Sequence, residues 1–253
     1  MAALLISWKR IRKMKKFFDY FDKRHREAIL GQPESEDGPV ITISRQTGCD
    51  ARQVAESTAE MLNRKYNVTK WRWIDKDIIQ RIAKEINTDD ARVESFYKGI
   101  EHSNLSEMIM AFSGSFVSDQ KIKRAIEDVV LSICKEGYVV VVGRGGVSIA
   151  HQIADALHIR LMAPFYWRVE NVMKKKNVDI ETAEEYVVDT DEKRFKLIQT
   201  FLKQKSINID YLFDATINRG SFTIQQTASL IVSMYDAKVC CAIEQRKRNK
   251  LNC

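Results

Sequence analysis

The sequence contains no run of about 18 uncharged apolar residues, the length a membrane-crossing helix requires. The apolar start, Ala2 to Ile6, is too short for a signal-peptide core, and charges follow it rather than precede it, so no secretory leader is expected. Prolines number three and glycines ten, with no biased run, which excludes collagen-like and low-complexity classes. Cys49, Cys134, Cys240, Cys241 and Cys253 form no C-x-x-C pair and have no matching histidine spacing. They read as reduced thiols of a cytoplasmic protein, not as disulfides or a zinc site, and no protein-bound metal is expected. What is present, 253 residues of which 45% are hydrophobic and 30% charged, suffices for one large α/β domain with an appendage.

The formal net charge of +7 is unevenly placed. Residues 1–26 carry Lys9, Arg10, Arg12, Lys13, Lys15, Lys16, Lys23, Arg24 and Arg26 against Asp19 and Asp22 alone. The tail adds Arg246, Lys247, Arg248 and Lys250. The stretch between is slightly acidic, so a nucleic-acid partner is not expected from the body despite a pI of about 9.1. In the first segment Leu4, Trp8, Ile11, Phe18 and Phe21 fall on one stripe of a helix whose other faces are basic. Such a basic amphipathic helix suits an anionic membrane surface, RNA, or docking on the domain or another subunit. A polar stretch from Gly31 to Pro39 reads as a linker. The expected organisation is an N-terminal helix and linker over 1–37, a domain over 38–240 and a basic tail over 241–253.

The body alternates strand-like and helix-like runs. Val40–Ser44, Trp71–Ile74, Tyr138–Val142, His158–Ala163 and Tyr211–Ile217 are five candidate strands. Helical periodicity separates them, with a mainly helical insertion over roughly 85–136 that Gly137 stops, and Pro164 in the first turn of a later helix. Alternating strands and helices predict a three-layer α/β/α fold with a five-stranded, mainly parallel sheet. In such sheets ligands bind beyond the carboxyl ends of the strands. That rule singles out Arg45–Gln53, Asp75–Asp77, Gly143–Gly146, Pro164–Arg168 and Asp214–Asn218.

The loop after the first strand, Ser44-Arg45-Gln46-Thr47-Gly48-Cys49-Asp50-Ala51-Arg52-Gln53, sits where backbone N–H groups and a helix N-terminus can hold phosphate. It fails the Walker A pattern: only Gly48 remains and no lysine is present. Gly143-Arg144-Gly145-Gly146 follows the most apolar strand, and Arg144 there is aimed at the ligand crevice, where its fork grips a phosphate. Arg168 and the run Asp189-Thr190-Asp191-Glu192-Lys193-Arg194 put arginines on two helical arms, as a closing lid does. Taken alone, the acidic-basic run also reads as a solvated helix face.

With ITISRQTG, WIDKDII, VVVVGRGG, APFYWRVENVM, DTDEKRF and IDYLFDATIN in this order, the chain resembles the cytidylate kinase-like family of P-loop nucleoside monophosphate kinases over roughly Val40–Tyr235. The resemblance implies a donor-phosphate loop made by Arg45, Thr47, Gly48, Cys49, Asp50, Ala51, Arg52 and Gln53. It implies an acceptor-nucleotide site with Asp75, Arg144, Gly145, Asp210 and Asp214. It implies a lid region over 165–208 carrying Arg168, Asp191, Lys193 and Arg194. ATP would then pass its terminal phosphoryl group to CMP or dCMP, with Mg²⁺ on the donor phosphates.

The run Gly48-Cys49-Asp50-Ala51-Arg52 departs from the family's G-S-G-G-R, and Asp50 puts a carboxylate where phosphates sit, unless it turns away or pairs with Arg52. Cys49 is either a small filler or, at a helix N-terminus, a low-pKa thiol. Two functions therefore remain open: an active pyrimidine nucleoside monophosphate kinase, and a nucleotide-binding scaffold of the same fold without turnover.

Overall fold

The computed structural model describes residues 39–75, 80, 82–84, 90–91, 93–94, 119–151, 153, 156–202 and 208–240. The expected N-terminal helix and linker, much of the 85–136 insertion and the basic tail lie outside the described residues. The order is β1 (Val40–Arg45), α1 (Ala51–Tyr66), β2 (Arg72–Ile74), α2 (Asp119–Glu136), β3 (Val139–Val142), α3 (Gly146–Ala150) and β4 (Ala156–Met162). It continues with α4 (Phe165–Lys176), α5 (Ile180–Phe201), a 3₁₀ turn (Ile209–Leu212), β5 (Ala215–Asn218) and α6 (Ile224–Tyr235), then a π-helical turn at Asp236–Cys240.

The five strands lie in the order β2-β3-β1-β4-β5. Every pairing is parallel. β1 is central, with Thr42 opposite Val141 on one side and His158 on the other. Side chains alternate across a strand, so Val139 and Val141 join Ile122, Ile126 and Phe201 in the core on one face. Val140 and Val142 point the other way and pack with Val54, Leu62 and Ile231 of α1 and α6. This double covering is why β3 is apolar at every position, and it makes the three-layer α/β/α architecture.

Local chemistry sets the boundaries. Gly137, at φ +69°, stops α2 in the left-handed conformation, and its N–H is shared between the carbonyls of Ile133 and Cys134. Thr223 and Gln226 form a capping box that starts α6. The lid arms α4 and α5 pack on each other through Val169, Val172, Ala183 and Val187.

One strand differs from expectation. Residues 211–214 read as the start of the last strand, but Asn208 Oδ1 accepts from the Asp210 N–H at 3.0 Å and turns the chain into 3₁₀ geometry. The strand starts at Ala215 and runs on to Asn218. Asp214 therefore stands at the amino end of β5, and Arg219 is the first residue past its carboxyl end.

Candidate functional site: an arginine-lined crevice beside a latched loop

Three turns meet beyond the carboxyl ends of β1, β2 and β3. Gly143, Arg144 and Gly145 are consecutive left-handed residues, with φ of +67°, +54° and +74°. For Arg144 that conformation costs about 1–3 kcal/mol. It is held by the Gly146 N–H donating to the Gly143 carbonyl at 2.8 Å. Gly143 is required on a second ground, because a Cβ there would overlap Nη1 of Arg45. The missing side chain lets the Arg45 guanidinium lie under the turn.

The result is a cavity of about 220 Å³ lined by Arg45, Arg52, Arg144 and Arg194, with Asp75 and Glu94 as its carboxylates. Asp75 is buried directly after β2. Its Oδ2 accepts from Arg52 Nε at 2.6 Å, and Arg144 Nε stands 3.5 Å from Oδ1, an oxygen without a hydrogen bond. Burial and the nearby guanidinium of Arg194, with further repulsion from Arg144 and Arg52 and partial relief from Asp75, push Arg45 down to about 9. Arg194 is lowered too, first by burial, against the favourable charge of Asp191. Guanidinium groups hold their protons in proteins. A partly buried cluster with more guanidinium groups than carboxylates among the described residues is relieved by an anion.

The loop after β1 is organised differently. Gly48, at φ +89°, presses on α4 so closely that a Cβ would stand 2.8 Å from the Arg168 carbonyl oxygen. Arg168, Asn171 and Lys175 lie at spacings of three and four on one face of α4 and follow the loop like rungs. Arg168 Nη1 donates to the Thr47 carbonyl at 3.4 Å, Asn171 Nδ2 donates to the Gly48 carbonyl at 3.2 Å, and the Lys175 ammonium pairs with Asp50. From α5, Asp191 Oδ1 accepts from both the N–H and the hydroxyl of Thr47, at 2.6 and 2.8 Å. Its Oδ2 pairs with Arg168 at 2.6 Å. Arg194 Nη1 reaches the Thr47 hydroxyl oxygen at 3.1 Å. The loop is thus held by α4 and α5 through several side chains, with Asp191 bridging Thr47 and Arg168.

The model of the cytidylate kinase-like family matches residues 40–221, which include the crevice, the loop and both lid arms. The chain belongs to the cytidylate kinase-like family. An uncharacterised protein from Eubacterium ventriosum has a similar fold, with a TM-score of 0.56 at 19% identity, covering 79% of this chain and 98% of that one. A shikimate kinase from Bacteroides thetaiotaomicron aligns over 79% of this chain and 96% of its own with a TM-score of 0.44 at 9% identity, too distant a fit to bear on function. A protein named uronate isomerase from Corynebacterium glutamicum is 27% identical over 149 residues. That stretch is 59% of this chain, and the chain spans only 28% of the length of that curated relative.

Within this cytidylate kinase-like chain the residues singled out by sequence divide into three groups. Arg45, Arg52, Asp75, Arg144, Gly145 and Arg194 meet at the crevice. Arg45 and Arg52, expected on the donor loop, both turn their side chains into the crevice. Thr47, Gly48, Asp50, Arg168 and Asp191 form the latched loop, with Ala51 buried and Gln53 exposed in the first turn of α1. Asp50 pairs with Lys175 rather than with Arg52, whose partner is Asp75. Cys49 is a buried filler: loss of solvent pushes its thiol up to about 11, and the low-pKa alternative does not hold. Lys193 holds Asp189 at 2.6 Å, one turn back along α5.

Asp210 and Asp214 go elsewhere. They flank the amino end of β5, away from the crevice, where Asp210 pairs with Arg160 at 2.8 Å. Asp214 pairs with Lys238 and accepts from the His158 N–H at 2.7 Å. Residues that sequence reasoning passed over are Glu94, Asn171, Lys175 and Arg219. Arg219 had a legible signal in the Asn208-Ile209-Asp210 turn, which moves the end of the last strand and so the functional position.

The described residues contain no cluster of three or more His, Cys, Asp or Glu side chains able to hold a metal by themselves. Magnesium, however, keeps several waters and takes most of its remaining ligands from phosphates, with one or two protein oxygens. The Thr47 hydroxyl and the Asp191 carboxylate, 2.8 Å apart beside the loop, are hard oxygen donors of that kind and fit an ion brought in with a nucleotide. No helix of the described residues is long and apolar enough to cross a membrane.

Proposed function

We propose that this protein is a nucleoside monophosphate kinase that transfers the terminal phosphoryl group of ATP to the 5′-phosphate of CMP or dCMP. The observation that carries the reading is the convergence of Arg45, Arg52, Arg144 and Arg194 on one cavity whose carboxylates, among the described residues, are Asp75 and Glu94, with Asp191 reaching Arg194 at 3.8 Å. A phosphate dianion fits such a site, and two or more guanidinium forks fix its orientation for in-line attack.

Each side chain then has a defined task. Arg144 and Arg45 hold the acceptor phosphate from below, and Arg52 closes the side against Asp75. Oδ1 of Asp75, which carries no hydrogen bond, accepts from a hydroxyl or amino group of the nucleoside. Arg194, between Thr47 and the cavity, lies where charge develops on the transferring group. Arg168 does not touch substrate; it positions Asp191 and through it the loop. Thr47 and Asp191 would hold the magnesium that accompanies ATP. Bound there, it would supply neutralisation of the donor phosphates. Closure of α4 and α5 over the loop excludes water, which protects the phosphoryl group from hydrolysis.

A specific observation favours the second reading, a nucleotide-binding scaffold without turnover. The loop lacks its lysine, and Asp191 already occupies the Thr47 N–H. Coupled measurement of ADP formation with ATP, Mg²⁺ and each of CMP, dCMP, UMP and AMP separates the two. Turnover with CMP or dCMP supports the kinase. Binding of CMP with no ADP formed transfers the assignment to the scaffold.

A further inference from the structure

The loop after β1 has no lysine, yet a lysine stands at it. Lys175, on the last turn of α4, places its ammonium on the carboxylate of Asp50, the residue that caps α1. Asp50 sits at φ +55° and makes no capping hydrogen bond from its side chain, so it does not complete the helix end that it occupies. Its carboxylate serves Lys175 instead. The rungs of Arg168 and Asn171 fix the register of α4 along the loop, so Lys175 reaches the same place whenever the lid is docked.

Arg219 is a second cation packed against α4, on the ring of Trp167. It is the first residue past β5 and only 7% exposed. Its guanidinium lies 5.7 Å from the centre of the Trp167 ring and donates to the Phe222 carbonyl, while its buried Nε has no hydrogen-bond partner. Its charge is felt at both Cys49 and Lys175. An orphaned buried donor of this type is costly unless something else meets the group's charge.

We infer that Lys175 is a cation of the donor-phosphate site, replacing from α4 the lysine that the loop itself lacks. The ligand class is the triphosphate of a nucleoside triphosphate, and the inference rests on the phosphoryl-donor reading given above. Asp50 keeps the ammonium positioned in the absence of donor. A triphosphate, with its several charges beside the N-terminus of α1, displaces that carboxylate from Lys175. Burial and the repulsion of Arg219 both lower the Lys175 ammonium, which makes it a group that gains from a stronger anionic partner.

The test is titration calorimetry of ATP, and separately of inorganic triphosphate, into the full-length chain and into Lys175→Met, Lys175→Arg and Asp50→Asn. The Lys175 side chain is half-exposed, so its replacement leaves the core intact, and CMP binding at the Arg144 crevice reports on folding in each variant. Loss of one charge-assisted contact weakens both ligands about tenfold in Lys175→Met. Lys175→Arg keeps most of the affinity, and Asp50→Asn binds more tightly than the parent. Opposite signs for the two partners of one ion pair are the signature of a ligand site. The inference is overturned if Lys175→Met binds ATP like the parent, or if Asp50→Asn and Lys175→Met weaken it equally, as a purely structural pair does. If the parent binds CMP but neither ATP nor triphosphate, the kinase reading falls together with it.

Discussion

The arginine crevice and the loop after β1 lie on the same edge of the sheet and treat charge in opposite ways. At the crevice, among the described residues, four guanidinium groups share Asp75, Glu94 and, at Arg194, Asp191, and burial pushes Arg45 down to about 9. At the loop the cations are matched: Arg168 with Asp191 and Lys175 with Asp50. The crevice is incomplete without an anion, whereas the loop is satisfied by the protein's own side chains. On the kinase proposal, a phosphoryl donor would have to displace internal contacts at the loop, while an acceptor phosphate would enter the crevice with fewer contacts to displace. This asymmetry separates binding from turnover, and it is why the kinase and scaffold readings divide on the donor side alone.

The largest effect that sharpens this contrast is expected from Arg144→Ala. Removing one bidentate fork from the crevice weakens CMP about 100-fold. Thermal-shift titration then shows no rise in Tm with CMP, while the rise with inorganic triphosphate persists. Equal loss of both shifts means that the two sites are one.

A smaller effect is expected from Asp191→Ala, which opens the latch and leaves the 7%-exposed Arg168 side chain without its partner. Breaking a buried pair by removing one member costs about 3 kcal/mol, to be read from urea unfolding. CMP affinity does not fall, because Asp191 also pairs with Arg194 at 3.8 Å and its removal leaves that guanidinium with less negative charge to share. A variant that keeps its stability and loses CMP breaks the division between crevice and loop.

The smallest is Asp210→Asn. Its carboxylate is 69% exposed and its pair with Arg160 lies at the amino end of the strands. The expected change is about 0.5 kcal/mol or less in stability. CMP affinity is unchanged by isothermal titration. A loss of CMP binding in this variant would return Asp210 to the acceptor site and undo the separation of the two ends of the sheet.

The fold was largely legible because its signals are local. Val139–Val142 is apolar at every position, and only a strand covered on both faces tolerates that. Gly137 marks the end of α2 and the strand-helix alternation dictates crossovers, hence parallel pairing. The last strand misled because Tyr211-Leu212-Phe213 has the composition of a strand, while a single side-chain acceptor on Asn208 bends the chain first. In the site, Arg144 was readable because it stands between glycines directly after a buried strand, where the turn leaves a long cationic side chain little to face but the crevice. Lys175 was not. It sits in the exposed run Lys174-Lys175-Lys176, and nothing in that run tells which lysine faces the loop.

The sequence by itself determined the layers, the direction of the strands and the turns from which ligand groups project, since these follow from hydrophobic period and backbone preference within a few residues. Only the tertiary structure decided which charges meet. Arg45 and Arg52 left the loop for the crevice, Asp191 became the latch on Thr47, and Lys175 came to Asp50 across a span of well over a hundred residues. The physical reason is that a long charged side chain takes its partner from whatever packing brings within a few ångströms. That partner is set by helix docking and not by the neighbours in the chain.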